Sequence, residues 1–227
     1  MNIPLRPLLR LTFPWNAALS LPALLIAPLV GALTGVRHSP TPLVSALRLL
    51  ELTATAVAII AFAHLMVIDS EERALELRFT YPPQRWLLVG ERLIPAVAIL
   101  CLGTLGGWAI LRTAAPALTA RAALVAALPP ALALTGVAFL AGCLAGNAWV
   151  AAAVSLAWWG LAYFTSRAVG SAPLVRFLVN FHLFQTGRPV GGVAYATNRW
   201  LLLLVAAACL TGCIIRVSAR ESWLGRQ

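Results

Sequence analysis

Several stretches of this chain run without a charged residue for as long as a helix needs to cross a lipid bilayer. That constrains its fold more than any other feature. A hydrocarbon core of ~30 Å requires about 20 helical residues at a rise of ~1.5 Å each. Between Arg121 and Arg167 there is no charge at all. Hydrophobic residues make up 61% of the 227, charged residues only 11%, and mean hydropathy is +0.88. The expectation is an all-α integral membrane protein with a single transmembrane domain over residues 1–227.

A formal charge of +10 would suggest nucleic acid if it were concentrated in one patch. All 17 basic residues are arginines, and they fall one or two at a time at the ends of apolar runs. Arginines so placed anchor helix ends at lipid headgroups, so the expected surroundings are membrane lipid, with no nucleic-acid partner. The four cysteines lie inside apolar runs. Cys209 and Cys213 share a helix face, but no histidine or carboxylate accompanies them in that run. They read as small buried residues, and no metal site is expected. The run from Leu11 to Val36 is too long for a signal-peptide core and has no A-x-A-like site to close it, so it reads as a retained span.

Charges and turn residues divide the chain into six spans. These are about Trp15–Leu33, Leu49–Ile68 and Leu93–Leu111, two more between Arg121 and Arg167, and about Trp200–Ile215. Gly146-Asn147 is the expected hairpin between the fourth and fifth. Pro14, Pro22 and Pro28 are expected to kink the first span. Small residues four apart (Gly31/Gly35, Gly103/Gly107 and Ala138/Gly142/Gly146) let helix backbones approach closely in lipid. Residues 1–14, with Leu5, Leu8, Leu9 and Leu11 beside Arg6 and Arg10, suit an interfacial elbow helix. Arginine counts on the two sides of such a bundle are nearly equal, so the positive-inside rule does not fix orientation.

Five of the seven acids (Asp69, Glu71, Glu72, Glu76 and Glu91) fall within residues 69–92. Asp69 can N-cap a short helix, with Glu72 completing a capping box. Leu75 and Phe79 then share a face, and Tyr81-Pro82-Pro83 ends the helix. A short charged helix between two spans suits docking on another protein, and an ordinary solvated loop is the alternative.

The order of a span, E-x(3)-L-E-L-x-x-T-x-P and a basic-ended helix resembles the permeases of the ATP-binding-cassette type-2 exporter family. Glu72, Leu75, Glu76, Leu77, Thr80, Pro82 and Arg85 match the pattern. Arg92 stands where lysine is commoner, and Arg73-Ala74 replaces the family's usual glycine. Residues 180–195, NFHLFQTGRPVGGVAY, resemble that family's segment before its last helix, with Phe181, Phe184, Gly187 and Tyr195 in matching places. The resemblance implies a permease subunit of a bacterial cytoplasmic membrane, working as a dimer with a second copy or a similar permease. It also implies a cytoplasmic coupling segment, 69–92, in which Glu72, Leu75, Glu76, Arg78, Phe79, Thr80 and Pro82 meet a separate ATPase subunit. This chain would bind no cofactor, and ATP and magnesium would sit on that partner. Residues 166–199 would form an external segment capping the exit of the path.

Within the spans, polar residues are few. Glu51 is placed at the start of the second, with Arg48 one turn before it and Thr55 one turn after. An acid near lipid is a functional candidate by default. Arg48 offers a structural ion pair, and a substrate or proton role is the alternative. His64 reads as a satisfied interface residue. Trp158 and Trp159, with Tyr163 and Phe164, can stack on a hydrophobic substrate or simply pack. Glu51, Thr55, Trp158 and Trp159 are therefore the expected path residues. No phosphate-binding loop is possible without lysine, and no zinc or nucleophile-elbow spacing occurs. An enzyme is not expected. A transport subunit without its own ATPase site is, carrying a hydrophobic or amphipathic cargo such as a drug, peptide antibiotic or lipid-like molecule. An ATPase-independent scaffold or accessory subunit is the competing class.

Overall fold

A computed structural model of the chain describes residues 20–63, 65, 85–165, 183–184 and 193–224. The elbow region 1–14, His64 and the seven coupling residues from Glu72 to Pro82 lie outside the described residues, as does most of 166–192.

The described residues are helical, with no strand among them. Six α-helices follow in order: α1 Ser20–Thr34, α2 Pro42–Phe62, α3 Arg85–Leu111, α4 Ala120–Ala145, α5 Ala148–Thr165 and α6 Val193–Leu224. A 3₁₀ turn, Val36–His38, joins α1 to α2. Five segments are long and apolar enough to cross a membrane: Ser20–His38, Pro42–Phe62, Arg92–Leu111, Ala120–Ala145 and Ala194–Val217. The apolar stretch of α5, Ala148–Phe164, is shorter. The chain is therefore a multi-pass helical membrane protein. Its outward residues agree, because Trp149, Phe164, Ile60, Ile94 and Leu33 are each at least 70% exposed. Lipid accepts such a surface where water would not.

Sequence explains most of the boundaries. Gly146 adopts φ 64° and ends α4 in the left-handed conformation, with its N–H donating to the Gly142 carbonyl. The Asn147 side chain then accepts from the Trp149 N–H at 2.8 Å and starts α5. This is the hairpin expected at Gly146-Asn147. Thr119 caps α4 by accepting from the Ala122 N–H. Three starts come earlier than expected, that of α3 at Arg85 lying eight residues before Leu93. Pro42 occupies the first turn of α2 after Thr41, seven residues before Leu49. Proline suits that position because its missing N–H has no partner to lose there. Helix α6 starts at Val193 instead of Trp200, just after Gly191-Gly192.

α4 is the centre of the bundle, largely buried against α6, α2, α5 and α3. Glycine sets several of the interfaces. A Cβ on Gly136 would lie 3.1 Å from the Ala206 carbonyl oxygen and 3.2 Å from its Cα, so α4 and α6 meet backbone to backbone. Gly212 faces Leu140, which makes α4 and α6 parallel. Gly103 and Gly107 receive Leu24 and Pro28 in the same way, making α1 and α3 parallel. Gly31, on α1, receives Leu49 of α2. Gly35 meets only its own helix and plays no such part. Two buried hydroxyls return to their own helices: Thr135 donates to the Ala131 carbonyl and Ser155 to that of Ala151. In an apolar bundle this satisfies donors that have no water available.

Candidate functional site

One side of this apolar bundle holds a polar and aromatic cluster, assembled where α2, α5, α6 and residues 183–184 meet. Its base is α2, whose early start moves Glu51 from the end of a span to its middle. Glu51 is the tenth residue of Pro42–Phe62, ~14 Å along the helix. It lies on the buried face with Leu47, Ala54 and Ala58 and is 4% exposed.

The ion partner of Glu51 is Arg199 of α6, not Arg48 a turn away. The Arg199 Nη2 donates to Glu51 Oε1, and its Nη1 donates to the Leu183 carbonyl at 3.2 Å. The guanidinium also lies over the Tyr195 ring, 4.7 Å from its centre. The early start of α6 makes this possible. Tyr195, Asn198, Arg199, Leu202 and Ala206 form one buried helical stripe, with Arg199 inside the helix and 3% exposed.

One turn beyond Glu51, the Thr55 hydroxyl donates to the Glu51 main-chain carbonyl at 2.7 Å. The Thr55 hydroxyl oxygen in turn accepts from the Trp159 Nε1–H at 3.0 Å, tying α2 to α5. Trp159 stacks on Tyr163 with 5.5 Å between ring centres. Phe184 stands edge-on to both, 5.9 Å from Trp159 and 6.3 Å from Tyr163. Such pairs match the positive ring edge to the negative face.

Three of the four expected path residues, Glu51, Thr55 and Trp159, therefore sit in one connected cluster. Trp158 does not join it. It packs half-buried against the main core and takes no part in these ring contacts. Sequence reasoning missed Arg199 as the counter-ion, because it was read as an interfacial anchor just before the last span. The available signal was its spacing, since Tyr195 and Arg199 are one turn apart behind a Gly-Gly helix start. Tyr195 and Phe184, which carried the resemblance in 180–195, both belong to the cluster. Among the described residues, no group of three metal-ligating side chains occurs. No known protein family, curated protein or solved structure matches the chain.

Proposed function

We propose that this chain is the membrane-spanning permease subunit of an ATP-binding-cassette exporter of the bacterial cytoplasmic membrane. In this reading α5 is the sixth crossing, and two permease subunits, identical or similar, enclose the path. Separate ATPase subunits holding ATP and magnesium drive it from the side of residues 69–92. The observation that carries the reading is the buried Glu51–Arg199 pair with its aromatic neighbours. It ties the span leading into the proposed coupling segment to the span that follows the segment resembling the family's exit cap. A mid-span ion pair is costly to desolvate, and such groups mark pathways and moving parts more often than static cores. Trp159, Tyr163 and Phe184 offer flat apolar faces beside it, which suits a hydrophobic or amphipathic cargo. Glycine-set helix pairs supply rigid bodies able to tilt as units.

The test is capture of an ATPase. Interface energy concentrates in a few apolar anchors, while exposed charges tune association. Phe79→Ala and Leu75→Ala should weaken ATPase capture and ATPase-driven export more than Glu72→Ala, in protein that inserts normally. Labelling should place Arg85 on the cytoplasmic side. An external Arg85, or no effect from any substitution in 72–82, would refute the reading. It would leave an ATPase-independent scaffold in its place.

A further inference from the structure

We propose that Arg199 is a releasable latch. It joins α2, α6 and the chain at Leu183–Phe184, and the three come apart at this end of the bundle only when both of its bonds are surrendered. The purpose served by release rests on the exporter reading, but the latch itself stands on the geometry. α2 and α6 barely touch along their backbones, and each packs instead on the central α4. The long Arg199 side chain spans the gap between them by reaching Glu51. The pairs α4–α6, α1–α3 and α1–α2 are closed instead by glycine against backbone or leucine, contacts that cannot part without opening a void.

A buried ion pair makes a poor permanent pin, since apolar side chains of similar volume commonly hold such positions as well or better. The satisfaction of this cluster is also incomplete. The buried Arg199 Nε lacks a hydrogen-bond partner among the described residues. A spare donor of this kind suits a group that exchanges partners. Arg199 holds the Leu183 carbonyl, and the next residue, Phe184, packs edge-on to Trp159 and Tyr163 of α5. One guanidinium thus governs three elements, and losing either of its partners weakens its hold on the other.

The experiment places a thiol at the fully buried Leu183 (Leu183→Cys), whose main-chain bond to Arg199 is unaffected by the side chain. Its reaction with a water-soluble maleimide is followed in the full chain in membranes. Ala126→Cys, in the buried face of α4, serves as the control for global loosening. With Arg199 intact, position 183 should react slowly. Arg199→Gln or Glu51→Gln should speed it at least about tenfold, as a local opening does, while position 126 stays protected. Arg199→Lys keeps a charge for Glu51 but loses the planar fork, so its rate should fall between. No acceleration at 183, or equal acceleration at 126, would overturn the latch. So would failure of both neutral variants to fold, which would make the pair a fixed pin. A latch result without ATPase capture would refute the exporter reading alone, and the reverse result would refute the latch alone.

Discussion

Removing Glu51 should harm this protein more than removing Arg199, and removing both should harm it less than removing Glu51 alone. In Glu51→Leu, a guanidinium 3% exposed is left in an apolar bundle without its carboxylate. Arginine cannot shed its charge, and orphaning one partner of a buried pair costs about 3–5 kcal/mol. In Arg199→Met the remaining carboxyl can take up a proton and become neutral, escaping most of that penalty. What is lost outright is the bond to the Leu183 carbonyl and the contact over Tyr195, about 1 kcal/mol each. The double variant Glu51→Leu/Arg199→Met keeps those losses but leaves no orphaned charge, for a total of about 2 kcal/mol. The coupling energy should therefore be about 3–5 kcal/mol, the size of the orphaned-charge penalty, and have the sign of a rescue. Reversible unfolding of the purified protein in mixed detergent micelles measures all four corners of the cycle. Glu51→Leu within about 1 kcal/mol of the native chain would refute the reasoning, as would single effects that add within about 0.5 kcal/mol.

Other substitutions separate close packing from open space. Gly136→Val should destabilise by about 1–3 kcal/mol in the same assay, because its Cβ meets the backbone of Ala206. Gly160→Ala meets nothing within 4 Å and should be neutral or slightly stabilising, by less than about 1 kcal/mol. Gly146→Ala must hold φ 64° and should cost about 1 kcal/mol through the α4–α5 hairpin. Trp159→Phe keeps a ring for Tyr163 and Phe184 but loses the bond to Thr55, costing about 1 kcal/mol. Trp158→Phe loses no such bond and should cost less. Equal effects at the two tryptophans would contradict the bond from Trp159 to Thr55.

How much of this was legible before folding depends on whether the cause is local. Hydrophobic run length decided the class, since spanning lipid requires each segment to satisfy its own backbone. Gly146-Asn147 was readable as a hairpin because left-handed φ and side-chain capping belong to those residue types. The start of α2 was also written locally, in Thr41-Pro42, but apolarity alone placed it at Leu49 and left Glu51 at a membrane edge. The glycine pattern pointed to close approach at Gly31, Gly103 and Gly107, yet said nothing of Gly136 or Gly212, whose partners lie on a distant helix. The identity of Glu51's counter-ion could not be read locally at all. Arg48 is three residues away and Arg199 is 148, and along a single helix the nearer one is the natural choice. Only the packing of both α2 and α6 on α4 brings Arg199 to the middle of α2. Sequence determined that this chain lives in lipid and where most of its turns fall. The tertiary structure decided which of its few charges are buried together, because that depends on how separate helices face one another.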